Sequence, residues 1–257
     1  MNSLVEKYSE IEDKRVVLLQ SGGLDSNVCA AVLSKLGFEI HHLFVDYGQN
    51  TSNKERGFVS AIVEKYGGTL HTVSLKADWL LDNALAKGGI NDWEAEGNFN
   101  TIEEGTYVPL RNAFLLSLAG SLADKLQIPY ICAALDGYED LDGNPLVGTT
   151  DKHPTFVKKV ESALIEGSSM YHVNGHKFTI LTPLMGSYKE DTIKLGEEYG
   201  ADFSISWSCY NSEDKPCLKC SACKERARGF FYAGIKDPLL EKFGIEVPRN
   251  KIFDLSY

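Results

Sequence analysis

RVVLLQSGGLDSNVCAAVLSKLG, residues 15–37, decides the fold. Arg15 to Gln20 form a short apolar run. Ser21-Gly22-Gly23 interrupts it, and from Leu24 to Leu36 the apolar positions recur at helical spacing until Gly37 closes the segment as a helix C-cap does. The stretch therefore reads as strand, glycine turn, helix. A second apolar run follows at Ile40 to Val45. Ser52 with Glu55 then has the spacing of a capping box, opening a helix through Tyr66 that ends at Gly67-Gly68. Thr69 to Leu75 is the third strand. Three β runs separated by two helical ones make βαβ units, so the expected class is α/β with a parallel sheet and helices on its faces.

Beyond Leu75 the pattern pauses. Lys76 to Tyr107 is a long polar stretch carrying Gly88-Gly89, Asn91, Asp92, Gly97, Asn98 and Asn100, a length typical of a lid or binding loop. Its Trp79, Trp93 and Phe99 suit pinning such a loop to the body, or stacking on a base. A helix is expected from Pro109 to Leu126 and a strand from Tyr130 to Leu135. An irregular Asp- and Gly-rich region, Asp136 to Asp151, precedes a helix from about Pro154 to Ile165. Phe178 to Leu184 reads as a strand, and Ser187 with Glu190 caps a helix to about Tyr199. A cysteine cluster and a short basic helix follow, without internal repeats.

The chain has 257 residues, and 36 Asp+Glu against 26 Lys+Arg give a net charge of −10. An acidic chain lacks the basic face needed to neutralise many phosphates, which argues against bulk nucleic-acid binding. The one basic segment, Lys215, Lys219, Lys224, Arg226 and Arg228, reads as a solvated face. Residues 1–14 are mostly polar and charged, unlike a signal peptide. No apolar run approaches the roughly 20 residues that span a bilayer. The expected location is the reducing cytoplasm, where clustered cysteines hold metal more often than they form disulfides.

Two motifs carry chemistry. In Ser21-Gly22-Gly23-Leu24-Asp25-Ser26, the glycines let backbone N–H groups approach an anion, the serines add donors, and the following helix start adds its positive dipole end. Asp25 would repel a triphosphate unless a cation intervenes, which suggests Mg²⁺. The plainer reading is a tight turn whose Ser and Asp cap a helix. The second motif is Cys209, Cys217, Cys220 and Cys223, C-x7-C-x2-C-x2-C. Four soft ligands in one loop suit tetrahedral Zn²⁺ and leave no open coordination position, so the metal is expected to be structural. An iron–sulfur cluster accepts similar spacing, and unliganded thiols or disulfides are the bland alternative. Cys29 and Cys132, isolated in apolar stretches, read as core. His41, His42, His71, His153, His172 and His176 share no metal-binding spacing and read as structural or surface residues, with His153 set apart by its place beside the irregular loop.

SGGLDS after a strand resembles the PP-loop of the N-type ATP pyrophosphatases. Together with the four-cysteine pattern, the chain resembles the 7-cyano-7-deazaguanine synthase family of the queuosine pathway. Val45-Asp46-Tyr47-Gly48-Gln49, Tyr107-Val108-Pro109-Leu110-Arg111-Asn112, Pro183-Leu184 with Lys189, Trp207-Ser208-Cys209-Tyr210 and Asp237-Pro238 extend the likeness from about Val16 to Pro238. The resemblance implies an adenine nucleotide alpha-hydrolase-like PP-loop domain over residues 14–203, a zinc-binding segment over 204–240 and a tail over 241–257. It implies conversion of 7-carboxy-7-deazaguanine with ATP, Mg²⁺ and ammonia: the acid is adenylated and aminated, then the amide is activated by a second ATP to leave the nitrile. Ser21, Gly22, Gly23, Leu24, Asp25 and Ser26 would hold ATP, joined by Asp46, Tyr47 and Gln49 at the edge of the second strand. Arg111 would pair with a phosphate or the substrate carboxylate, since a planar fork matches either anion; a surface salt bridge is its alternative. Lys189, in a helix's first turn where a cation opposes the dipole, suits an anion ligand. Asp25, Arg111 and Lys189 are the expected catalytic groups, and Arg111, Asn112, Asp136 and Asp151 the substrate-binding ones. Members of the family commonly form homodimers.

One stretch departs from the family. Around the substrate pocket the usual pattern runs Asp-x-Ser-Gly-Tyr-Pro-Asp-Cys-Arg-Pro. Here the stretch is longer, and Thr149-Thr150-Asp151-Lys152-His153 stands for Tyr-Pro-Asp-Cys-Arg. A carboxylate suits the paired donors of a guanine-like edge, making Asp151 the candidate for base recognition, with capping of the helix after Pro154 as its alternative. The lost Cys-Arg pair leaves room for an enzyme that stops at the amide or conjugates the activated base to a protein or other amine. A tRNA-modifying PP-loop enzyme and a non-enzymatic zinc module are the more distant alternatives.

Overall fold

The computed structural model describes residues 7–75, 108–137 and 150–247. Trp79, Trp93, Phe99 and Tyr107, most of the Asp136–Asp151 stretch and the end of the tail lie outside them. Five parallel strands form one sheet in the order β3-β2-β1-β4-β5: β1 Arg15–Leu19, β2 Glu39–Asp46, β3 Thr69–Ser74, β4 Tyr130–Cys132 and β5 Thr179–Leu181. The expected α/β parallel architecture is thus observed. Each strand lies where the hydrophobic pattern puts it, with its ladder shorter than its apolar run in β4 and β5.

Alternation along β1 sorts the core into two faces. Val16 and Leu18 point to one, among Val28 and Val32 of α1 (Leu24–Lys35) and Ile62 of α2 (Ser52–Tyr66). Val17 points to the other, with Leu116, Ala119 and Ala123 of α3 (Arg111–Leu126) and Val157 of α4 (Pro154–Gly167). Sheet faces covered on both sides are what a parallel sheet requires. Cys29 and Cys132 are fully buried on the α1 face, as expected.

A short helix, α5 (Ser169–Asn174), leads to β5, after which α6 (Lys189–Glu198), α7 (Ser221–Ala233) and α8 (Pro238–Lys242) complete the described chain. Among the described residues, no helix is long and apolar enough to cross a membrane. Phe230 of α7 shares the α1-face core and meets Phe203 edge to face at 5.1 Å.

Three local expectations need correction. Thr51, not Ser52, precedes α2, and Glu55 accepts from the Thr51 hydroxyl and the Gln49 amide instead of from a backbone N–H. Tyr188, not Ser187, stands at the N-cap of α6, without a side-chain cap. Arg226, read as part of a solvated basic face, is buried. Its guanidinium holds both Asp237 oxygens at 2.7 and 2.8 Å and donates to Phe203 O and Ser206 Oγ. Removing one partner of a buried pair strands the other charge. Arg226→Met is therefore expected to cost about 3–5 kcal/mol of unfolding free energy, read from denaturant titrations of zinc-loaded protein; a change under about 1 kcal/mol would contradict this account of Arg226.

Candidate active site and metal centre

The strand order reverses between β1 and β4, and parallel sheets bind ligands outside their carboxyl ends at such a switch point. A cavity of about 350 Å³ lies there. It is lined by Ser21, Gly23, Leu24, Asp25 and Ser26 after β1, Val45 at the end of β2 with Tyr47 and Gln49 after it, and Ala133 to Asp136 after β4. Arg111 and Asn112 of α3, Lys152, Lys189 of α6, and Trp207, Tyr210 and Glu225 also reach it.

The turn Ser21–Gly23 is built by its own side chains. Ser21 and Ser26 hydroxyls lie 3.1 Å apart, Gly23 N donates to Ser21 Oγ, and Ser26 Oγ reaches Gly23 O at 3.1 Å. Gln20 extends this network inward, donating to Ser26 Oγ at 2.8 Å and lying 3.2 Å from buried His42. Gly22 has φ +76°, and a Cβ there would stand 2.8 Å from Glu55 O. Both the left-handed conformation and the close approach to α2 require glycine. Gly23 occupies the N-cap of α1 without a side-chain cap, so the helix start faces the cavity through its N–H groups.

Lys189, at the first position of α6, spans the site. Its Nζ lies 2.7 and 2.8 Å from the Asp25 oxygens, 3.8 Å from Asp136 Oδ2 and 3.9 Å from Glu225 Oε1. Burial opposes the charged form, but the carboxylates of Asp25, Glu225 and Asp136 outweigh it and hold the Lys189 pKa well above the usual lysine range. A protein cation, Lys189, thus stands beside Asp25.

Arg111 enters α3 behind Leu110, a non-glycine residue at φ +51°. Burial works against its charge, and the phenols of Tyr47 and Tyr210 and the Asp151 carboxylate offset this and raise its pKa. Burial likewise pushes Tyr210 up to about 12. Four expected residues stand differently. Gln49 shapes its loop, accepting from Tyr47 N and donating to Val45 O and Glu55. Asp46 does not line the cavity; it accepts from Gly48 N and pairs with Arg56 at 3.3 Å. Gly22 shapes the turn from behind. Asp151 accepts from Asn112 N at 3.4 Å at the start of α3, outside the cavity lining, while His153 Nδ1 caps α4 by accepting from Thr155 N. Asp136, by contrast, is buried in the cavity wall.

Cys209, Cys217, Cys220 and Cys223 converge with all four Sγ atoms within 4.8 Å of one another, and none is in a disulfide. Zn–S bonds of about 2.3 Å in a tetrahedron put sulfurs about 3.8 Å apart; Cys217 and Cys223 Sγ are 4.0 Å apart. Backbone N–H groups of Asn211 and Cys217 point at Cys209 Sγ, and those of Lys219 and Cys220 at Cys217 Sγ, each at 3.4 Å. Such donors stabilise thiolates. One ion at the centre fits this set. A four-iron cluster would need the sulfurs further apart.

The cysteine cluster and the Ser21–Gly23 turn are joined. Trp207 N donates to Gly22 O at 2.8 Å, its ring stacks on Phe58 of α2, and Lys54 lies over the ring at 4.4 Å.

A glycine turn at a helix start, at the switch point of a parallel sheet and facing a buried lysine, defines the class: a nucleotide-binding α/β protein with a PP-loop. The family narrows further. The family model described as queuosine biosynthesis protein QueC matches residues 15–234, and the chain belongs to that family. A 7-cyano-7-deazaguanine synthase of Campylobacter jejuni subsp. doylei is 33% identical over 238 residues, covering 89% of this chain and 99% of its own. Proteins of the same name from Nitratiruptor sp. and Methanosphaerula palustris are 33% and 31% identical, each over 88% of this chain and 97% and 98% of theirs. Among solved structures, NMN synthetase from Francisella tularensis aligns over 98% of this chain and 87% of its own at 14% identity, with a TM-score of 0.44.

The cavity also holds residues to which local patterns give no role in it: Lys152, Glu225, Tyr210 and Glu55, from four separate segments. The only signal for Lys152 is its place in the stretch that departs from the family pattern.

Proposed function

We propose that the protein converts 7-carboxy-7-deazaguanine to 7-cyano-7-deazaguanine, consuming two ATP and one ammonia. In the first step a carboxylate oxygen attacks the α-phosphate of ATP, PPi leaves, and ammonia displaces AMP from the acyl carbon to give the amide. In the second, the amide oxygen attacks another α-phosphate, PPi leaves again, and loss of AMP and a proton leaves the nitrile. A carboxylate or amide oxygen is a poor leaving group, and phosphorylation as AMP makes it a good one.

The residues divide this work. The N–H groups and hydroxyls of Ser21 to Ser26 hold the pyrophosphate end of ATP. Lys189 neutralises charge as PPi departs. Asp25 is the residue that would hold Mg²⁺, which would screen the phosphates when bound. Tyr47, Arg111 and Asn112 face the nucleotide or the substrate, and Asp136, in the cavity wall, takes a substrate role. The buried Trp207 indole N–H, without an acceptor among the described residues, suits a ligand oxygen. Cys209, Cys217, Cys220 and Cys223 would hold Zn²⁺ as a structural ion.

The observation that supports this reading most is the cavity itself, where the SGGLDS turn, Lys189 and Asp136 meet at one sheet edge in a chain of this family. No observation favours the amide-only, protein-conjugating, tRNA-modifying or zinc-module readings over it. ATP/PPi exchange with the acid, without ammonia, tests the reading: exchange that depends on the acid is expected, and its absence in zinc-loaded protein would refute it.

A further inference from the structure

Lys152 is a second cation in the cavity wall, and the phosphate turn does not account for it. It ends the 3₁₀ turn Thr150–Lys152, and its Nζ lies 2.8 Å from Asp136 Oδ1. Asp136 therefore stands between two ammonium groups, with Lys189 at 3.8 Å on its other oxygen. The contact is built into the backbone. A Cβ on Gly137 would stand 2.3 Å from Lys152 O and 2.7 Å from its carbonyl carbon, so only glycine lets the chain leaving β4 touch this turn. The side chain of Lys152 is 31% exposed and that of Asp136 11%, and both line the cavity.

The charges around Lys152 bear on what binds beside it. Asp25, Asp136 and Glu225 stand around the two ammonium groups of Lys152 and Lys189, while Arg111 and Glu55 line the cavity as well and Arg111 is balanced by Tyr47, Tyr210 and Asp151. Lys189 is committed to Asp25 by two short contacts. The acid substrate brings one more negative charge and must approach an anionic α-phosphate, whereas the amide of the second step brings none. An ammonium has three N–H donors, so the bond to Asp136 does not exhaust Lys152. Burying a pair that merely neutralises itself contributes little to stability.

We propose that Lys152 receives the carboxylate of the acid substrate, making it the residue that distinguishes the charged substrate of the first activation from the neutral substrate of the second. The assignment rests on the two-step reading above. When the acid binds, Lys152 shares its donors between Asp136 and the substrate carboxylate, and Lys189 stays with Asp25 and the phosphates.

The test measures ATP/PPi exchange separately with the acid and with the amide, in wild-type protein and in Lys152→Met, Lys152→Gln and Lys152→Arg. Both neutral replacements are expected to raise the KM for the acid at least tenfold more than the KM for the amide. Arginine, which keeps the charge, should hold the ratio within about threefold of wild type. A purely structural role would move both KM values together. A neutral variant that folds and leaves the acid-to-amide ratio as in wild type overturns the assignment, and so does an arginine variant that behaves like methionine. If wild-type protein shows exchange with neither substrate, the two-step reading fails and the Lys152 assignment falls with it. Wild-type exchange with an unmoved ratio removes the Lys152 assignment alone.

Discussion

Lys189→Met is expected to lower the rate of acid-dependent ATP/PPi exchange by about 10²–10³-fold, the loss seen when one preorganised electrostatic donor is taken from a developing charge. Lys189 is the cation bound to Asp25 and also faces Asp136 and Glu225. Without it these carboxylates confront the phosphates. Lys189→Arg keeps the charge but not the compact ammonium, and should recover part of the rate. The pH dependence follows from the raised pKa of Lys189. A group whose folded pKa lies above its unfolded value, about 10.4 for lysine, contributes stability that is fully present below that value and lost as pH rises through the folded one. Lys189 therefore stays charged through pH 7–9. An alkaline fall of exchange in that range that vanishes in Lys189→Arg would contradict this.

Loss of the metal should have the other large effect. Structural zinc supplies about 10–16 kcal/mol of folding free energy in small zinc-finger peptides, as much as a whole domain's typical stability of about 5–15 kcal/mol. Cys209, which precedes the loop, and Cys220 and Cys223, which open α7, are each buried. The same segment carries Trp207, bonded to Gly22 O, and Arg226, bonded to Phe203 O. Chelation, or Cys220→Ser, should thus lower the melting temperature and ATP affinity together, and Zn²⁺ should restore both to chelated wild-type protein. Metal analysis should give one zinc per chain. Zinc-free protein that melts as the loaded form does and binds ATP equally well would contradict a structural role.

Periodicity marks all five strands and the longer helices between them, though not the short α5, because the apolar faces of βαβ units are written locally. The two motifs were legible for the same reason: SGGLDS and the four cysteines each lie within one short stretch. What escaped depends on contacts between distant segments. Arg226 looks like one of five cations on a solvated face until Asp237 and Phe203 O close around it. In one dimension Asp136 and Asp151 are both candidate substrate carboxylates, with Asp151 the one for base recognition. Folding sets Asp151 at the start of α3, 3.4 Å from Asn112 N, and buries Asp136 between two lysines. Gln49 illustrates the converse, a residue at a ligand-binding edge whose amide is consumed by its own loop.

The central claim, that one site activates first an acid and then an amide by adenylation, is tested most directly with acid labelled with ¹⁸O at both carboxylate oxygens. Each activation transfers the attacking oxygen to AMP. Mass spectrometry should therefore find two singly labelled AMP molecules for every nitrile formed, with no label in PPi. Unlabelled AMP, or ADP and phosphate in place of AMP and PPi, would contradict it.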